Sequence, residues 1–350
     1  MDLIHPHGKG DVASALVEAT RRRRRVLVVG GRRHMDKGNP SEVDAELWTT
    51  MLDRLIYYEP AEMVAVVEAG MRVGELQRIC AEGGQEWPVD APEAATVGGV
   101  VAAAASSPRR LSVGAVRDTV LEIEFVTGDG RLLRSGARTM KNVSGYNVHR
   151  LLTGSLGTLG VIVQMALKLR PLPAARRTIR FAGSLDTARA LLQAVPTPAA
   201  VLATPGLVEL RLEGWPEQVE AETETAARTA EPVDSSDDAP FPSERPWEEH
   251  PIVAEVAVPP SKCDDVLAVA GDAWGALAGV GIAWVGLDLP HGPLDTLRAR
   301  ARASGGIAPV VKGPGGLGSD APAALDIHRR LKAIFDPAGV LAPGRFWGGI

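Results

Sequence analysis

Three glycine-rich runs occur in order along the chain, each with hydroxyl or cationic side chains beside its glycines. Gly30-Gly31-Arg32-Arg33-His34-Met35-Asp36-Lys37-Gly38 follows the apolar run Val26–Val29. Pro92-Glu93-Ala94-Ala95-Thr96-Val97-Gly98-Gly99 leads into a small-residue stretch, Val100–Ser107. Gly154-Ser155-Leu156-Gly157-Thr158-Leu159-Gly160 leads into an apolar run that starts at Val161. Glycine has no Cβ, so successive main-chain N–H groups can converge on an anion or lie flat against a planar ring. Thr96, Ser155 and Thr158 add hydroxyl donors beside those amides. One such run is most often a turn. Three in this order point to a buried cofactor that carries a diphosphate.

Other chemistry is thinner. A G-x-G-x-x-G pattern spans Gly313 to Gly318, but too little chain follows for the rest of a dinucleotide-binding half, and Pro314 removes a backbone donor from the would-be cradle. It reads as a flexible inter-domain linker. Cys80 and Cys263 cannot hold a conventional four-ligand iron–sulfur cluster or a disulfide framework, and read as reduced buried thiols. His250, His291 and His328 lack paired spacing, so no metal site is expected; His291 and Arg298 are the most plausible polar pair of the second half. The run Arg21–Arg25 is read as a solvated helix end, with a phosphate or partner contact left open.

The chain has 350 residues, with 38 basic and 43 acidic side chains and a net charge of −5, which does not fit a nucleic-acid footprint. Apolar residues make up 45%, enough for real cores, while aromatics at 4% argue against ring-lined single-strand platforms. Met1–His7 lacks the pattern of a signal peptide, and no apolar run reaches the ~18–20 residues of a spanning helix. The expectation is a cytoplasmic chain that can reach the inner face of a membrane through partners.

The elements that must position these residues follow from periodicity. Residues 11–24 read as a helix capped by Asp11; Val26–Val29, Leu55–Tyr58 and Met63–Ala69 read as strands, and Arg72–Glu82 as a helix closed by Gly83-Gly84. Val120–Thr127 and Arg131–Ser135 form a hairpin around Gly128-Asp129-Gly130, and Gly160–Leu169 is a long strand. After Pro173, strands Arg177–Phe181, Leu207–Leu212, Ile252–Val258, Ile282–Asp288 and Ile307–Val311 alternate with helices Leu185–Ala194, Glu217–Ala230, Lys262–Ala278 and Leu294–Ala303. That is an open sheet with helices on one face. Glu231–His250 reads as an exposed acidic loop, and Ala321–Phe335 as a final amphipathic helix.

The ordered set GGRR, PEAATVGGVVAAAASSPRR, GAVRDTVLEIEFVTGDGRLLRSG and KNVSGYNVHRLLTGSLGTLGVI resembles the FAD-binding domain of the vanillyl-alcohol-oxidase and p-cresol-methylhydroxylase type. Within that FAD-linked oxidase superfamily it is most similar to the smaller FAD-binding subunit of bacterial glycolate oxidase (glycolate dehydrogenase). The closing run FDPAGVLAPGR, Phe335 to Arg345, is similar to the tail of the same flavoproteins. The resemblance covers residues 10–172 and 325–345.

It implies an α+β fold in three parts: a two-part PCMH-type FAD-binding domain over 1–173, a smaller cap domain over 174–320 with an antiparallel sheet covered by helices on one face, and a C-terminal helix and tail over 321–350 returning to the FAD domain. It implies FAD, with Gly30, Gly31, Arg32, Arg33, His34 and Met35 wrapping the diphosphate through main-chain amides. Thr96, Val97, Gly98 and Gly99 would line the flavin ring and diphosphate. Gly114, Arg117 and Asp118 would sit near the ribityl–diphosphate stretch, and Ser155, Gly157, Thr158, Gly160 and Val161 near the ring and adenosine. Implied partners are a related catalytic flavoprotein subunit and an iron–sulfur subunit, with a small 2-hydroxy acid of the glycolate or D-lactate type as substrate. A catalytically silent flavin-binding scaffold and a stand-alone reductase of the same fold are the alternatives. Two departures stand out: Asn147 follows Gly145-Tyr146 where an acid is common, and Ala342 replaces the usual Asn. His34 lies four residues before Gly38, the spacing at which some relatives attach FAD covalently, so that linkage stays open beside non-covalent binding.

Overall fold

The computed structural model describes residues 1–138, 146–318 and 324–350. The KNVS-Gly145 part of the fourth motif and the first residues of the final predicted helix lie outside the described residues. The chain divides into two compact units, one of Met1–Ser107, Ala115–Leu172 and Ser319–Ile350, the other of Pro108–Gly114 and Pro173–Gly318.

The first unit opens with β1 (Asp2–Ile4), α1 (Lys9–Arg22), β2 (Val26–Val29) and β3 (Ala45–Trp48). The strands form a parallel sheet in the order β1-β3-β2. Helix α1 covers it with Val12, Leu16 and Ala19. Gly8, not Asp11, is the N-cap, and the Asp11 carboxylate accepts the His7 N–H at 2.9 Å. The Arg21–Arg25 run is spent on local acids: Arg21 and Arg22 pair with Glu18, Arg24 with Asp2, and Arg25 with Asp44 and Glu42.

Next come β4 (Leu55–Glu59), β5 (Val64–Glu68), α2 (Val73–Glu82), β6 (Gln85–Glu86), α3 (Val97–Ala103) and, within the second unit, α4 (Arg110–Val113). They are followed by β7 (Val120–Val126), β8 (Leu132–Gly136), α5 (His149–Leu152), β9 (Val161–Lys168) and β10 (Arg170–Pro171). Strands β4-β5-β9-β7-β8 make an antiparallel sheet. Its Ala65, Val67, Ile123, Phe125, Met165 and Leu167 pack with Leu76 and Cys80 of α2 and Val100 and Val101 of α3. The hairpin at Gly128–Gly130 forms as expected, with Gly130 at φ 86°. The small-residue stretch Val100–Ser107 is helical only as far as Ala103, because Ala104 turns left-handed at φ 45°.

The second unit contains β11 (Ala175–Ala182), α6 (Leu185–Ala194), β12 (Ala200–Thr204), β13 (Leu207–Gly214), α7 (Pro216–Thr229), β14 (Pro232–Ser236), β15 (Ile252–Ala257), α8 (Cys263–Leu267), β16 (Trp274–Leu277), β17 (Ile282–Leu287), α9 (Pro293–Ala303) and β18 (Val310–Lys312). Its strands form one eight-stranded sheet in the order β14-β11-β13-β12-β16-β17-β15-β18, with antiparallel neighbours. Alternation along β13 sends Val208, Leu210 and Leu212 into the core with α6 to α9, while Glu209, Arg211 and Glu213 take the other face. This is the expected antiparallel sheet with helices on one face.

Three expectations change here. The predicted Lys262–Ala278 helix ends at Leu267; Gly271 at φ 65° breaks it, and Trp274–Leu277 becomes strand β16. A Cβ at Gly275 would lie 2.0 Å from the Trp247 ring, so the indole packs against bare strand backbone. Segment 231–250 is largely exposed as expected, but it is no plain loop: it begins as edge strand β14, and its later part is fixed to the helix-free face. Trp247 stacks on Trp284 with ring centroids 5.7 Å apart, and the Ser243 N–H donates to buried Glu209. The glycine run 313–318 is no flexible linker either: Arg298 donates to the carbonyls of Gly315 and Gly316 at 2.9 and 2.8 Å, which also removes Arg298 as a candidate polar partner of exposed His291.

Candidate cofactor-binding site

The turn after β2 and the N-terminus of α3 meet at one oxygen. Thr96 is 1% exposed, and its Oγ1 accepts the N–H of Gly99 at 3.2 Å and of Gly31 at 3.3 Å. The first bond is an N-cap; the second ties the first glycine run to the second. Both runs border an open cleft of about 660 Å³ within the first unit. Gly30, Gly31, Arg32, Arg33, His34, Met35, Thr96, Gly98, Gly99, Gly157 and Gly160 all line it. These eleven residues come from three separate stretches of the chain, and the order of elements brings the three runs together.

The glycines are required by close approach of the walls. A Cβ at Gly31 would lie 2.6 Å from the Ala94 carbonyl oxygen, and one at Gly98 2.7 Å from Ala69 Cβ. The Gly98 N–H is already donated to the Ala69 carbonyl at 2.8 Å. At Gly99 the sole contact a Cβ would make is Thr96 Oγ1 at 2.9 Å. Gly157 sits at φ 78° and Arg32 at φ 56°, a turn conformation in which successive N–H groups can point the same way. The Arg32 side chain is occupied elsewhere: it pairs with buried Glu46 and lies 4.8 Å over the Trp48 ring. That leaves its main chain for the cleft.

Other expected residues fall outside the lining. Val97 is fully buried in the core and its N–H donates to the Met71 carbonyl. The Ser155 hydroxyl donates to the Leu152 carbonyl and that of Thr158 to the Ser155 carbonyl, so both oxygens fasten a turn instead of standing beside the cleft. Asp118 accepts the Ala115 N–H and faces Arg117 and Arg150. Gly114 belongs to the second unit, and Val161 starts β9 in the neighbouring core.

Sequence reasoning missed Val28, Thr49, Ala69, Leu156, Ile162 and Arg345 among the lining residues. Arg345 is the most telling, a cation only 7% exposed whose Nη2 donates to the carbonyls of Met35 at 2.8 Å and Lys37 at 2.9 Å. Burial pushes its pKa down, with Asp36 acting in the opposite direction. A lone arginine at the end of an apolar, proline-rich tail was the available signal.

A glycine-walled cleft with small alanines Ala102 and Ala103 beside it, set between a parallel and an antiparallel sheet, defines the two-part PCMH type of FAD-binding domain. Residues 3–136 match the FAD binding domain family, and residues 317–346 match the C-terminal domain of FAD linked oxidases. The chain is 36% identical over 177 residues to the glycolate oxidase subunit GlcE of Escherichia coli, a stretch covering 49% of this chain and 51% of that one. It is 33% identical over 171 residues to a D-lactate dehydrogenase of Archaeoglobus fulgidus, covering 48% of this chain and 38% of that one. The matches thus span about half or less of these relatives. A solved structure of alkyldihydroxyacetonephosphate synthase superposes with a TM-score of 0.74 at 16% identity, covering 97% of this chain and 75% of that one, a likeness of fold. Residues 3–136 thus carry an FAD binding domain and residues 317–346 the C-terminal domain of FAD linked oxidases, and FAD is the cofactor.

Proposed function

We propose that this chain is an FAD-dependent oxidoreductase subunit acting on the CH–OH group of a small 2-hydroxy acid of the glycolate or D-lactate type. It works beside a related catalytic flavoprotein and an iron–sulfur subunit, in the cytoplasm, with any membrane attachment made through those partners. Among the described residues no helix is long and apolar enough to cross a membrane. Support for the substrate class comes from the names of the relatives, glycolate oxidase subunits and D-lactate dehydrogenases.

The observation that carries the reading is the cleft itself, where Gly30–Met35, Thr96, Gly98, Gly99, Gly157 and Gly160 stand together in a stretch mostly matched by an FAD-binding family. Main-chain N–H groups of the first run other than that of Gly31, which Thr96 holds, would bind the diphosphate. Gly99 leaves space beside the α3 N-terminus for a planar ring, and Thr96 keeps both walls in register. Bound there, FAD supplies an acceptor for two electrons. Residues 1–173 and 321–350 act as the FAD domain and 174–320 as the cap. Binding is non-covalent, so flavin should leave with denaturation; flavin that stays with the peptide would point to His34 instead.

A second reading, a subunit that holds FAD and steadies the complex without turning over substrate, is favoured by one arrangement in the second unit. Glu213 is in contact with the guanidinium groups of Arg109 at 3.2 Å and Arg211 at 3.4 Å, all nearly buried. A carboxylate of the chain itself therefore sits where these two cations could otherwise hold an acid. Anaerobic mixing of the purified holo-chain with glycolate or D-lactate separates the readings. Rapid bleaching of flavin absorbance by the isolated chain supports turnover at its own site, and inert flavin supports the second reading.

A further inference from the structure

We infer that Arg345 is a ligand of the FAD diphosphate, contributed by the C-terminal tail to a cleft otherwise built from the N-terminal half; this rests on the FAD reading above. The guanidinium is 7% exposed and lines the cleft. Its hydrogen-bond partners are two neutral carbonyls, both reached by Nη2, and among the described residues it forms no ion pair. Burying a cation is costly, and two carbonyls offset only part of that cost. Asp36 acts on the guanidinium only from beyond ion-pair distance, so the site still favours a contacting anion, in a cleft walled by glycine amides that favour one too.

The tail is held for this role. Asn39 N–H donates to the Arg345 carbonyl at 2.9 Å, Asn39 Nδ2 to the Phe346 carbonyl at 3.3 Å, and Ser41 Oγ to the Pro343 carbonyl at 2.7 Å. These bonds dock residues 343–346 on the segment that follows the first glycine run. Because Nη2 grips the carbonyls of Met35 and Lys37, the cation is anchored to the glycine loop and not to a flexible side chain. The remaining guanidinium donors suit a diphosphate, for which arginine's planar fork is well matched. The loop it holds is the one whose amides would cradle the same group, which places the charge at the diphosphate and not at the ring.

The test compares wild-type chain with Arg345→Gln and Arg345→Lys. Glutamine keeps N–H donors for the two carbonyls but no charge; lysine keeps the charge. ADP, which carries the diphosphate and no flavin, is titrated alongside FAD, and the thermal unfolding of each apo-chain reports the fold. Arg345→Gln should weaken FAD and ADP alike by about 10- to 100-fold, the range of a charge-assisted hydrogen bond, with apo stability little changed. Arg345→Lys should recover part of the loss. Unchanged ADP binding in Arg345→Gln would overturn the assignment, including the case where FAD alone weakens and the flavin potential shifts, since the charge would then serve the ring. A wild-type chain that takes up neither ligand would overturn the FAD reading itself, and the inference with it.

Discussion

Replacing Thr96 by Val keeps the side-chain volume and β-branching while deleting one oxygen. That oxygen accepts the N–H groups of Gly31 and Gly99 at a site 1% exposed. Losing the N-cap bond costs about 1 kcal/mol. The Gly31 N–H is then left facing a methyl group, and an unsatisfied buried donor costs about 1–3 kcal/mol more. The two bonds share one acceptor, so the losses are not independent, and about 2–3 kcal/mol is expected in all. Urea unfolding of the apo-chain, followed by a probe in the first unit, gives the stability. Amide exchange at Gly31 and Gly99 gives the local effect, and both amides should exchange faster than in wild type. Thr96→Ser restores the oxygen and should recover most of the loss. If Thr96→Val unfolds within about 0.5 kcal/mol of wild type, with both amides equally protected, the hub does not exist and the joint between the glycine runs has another cause.

Gly99→Val should fold but lose FAD, because a new side chain meets only Thr96 Oγ1 before entering the cleft; stoichiometric flavin in that variant would refute it. Gly98→Ala should instead lower apo stability, since its Cβ would lie 2.7 Å from Ala69 Cβ, and a thermal melt checks this. Lys332, its side chain 13% exposed, joins the carbonyls of Thr158 and Leu341 and pairs with buried Asp336; Lys332→Met should cost about 3–5 kcal/mol in denaturant unfolding, the cost of removing one partner of a buried ion pair. Asp44, hydrogen-bonded by the Arg25 side chain and main chain, has its pKa lowered from 3.8 to about 2. Its folded pKa lies below the unfolded one, so its contribution is present above pH 3.8 and is lost as pH falls toward 2. Asp44→Asn should thus be less stable than wild type at neutral pH, with the gap closing in that acid window; a constant gap would refute the pairing.

How much could be read from the chain depended on how local each cause was. The hairpin at Gly128–Gly130 and the alternating strand β13 were legible because a turn glycine and a period of two act over a few residues. The three glycine runs were legible for the same reason, being short segments in which a missing Cβ is the whole signal. Their convergence on one cleft was read from a resemblance and then built by the packing of two sheets around α3. Residues 262–278 show the opposite case: helical spacing was present, yet Gly271 and the flat face that Trp247 lays on Gly275 turned the second half into a strand. Ser155 and Thr158 look like ligand donors in sequence, and the fold spends each hydroxyl on the turn carbonyl three residues earlier in the chain. Arg345 is the clearest limit. It lies 310 residues from Met35, so no window along the chain relates the two. Amino-acid order alone determined the glycine turns, the alternation of the sheets and the kind of cofactor; only tertiary packing decided which polar atoms stay free to meet that cofactor, because burial and hydrogen-bond partners are set by neighbours distant in the chain.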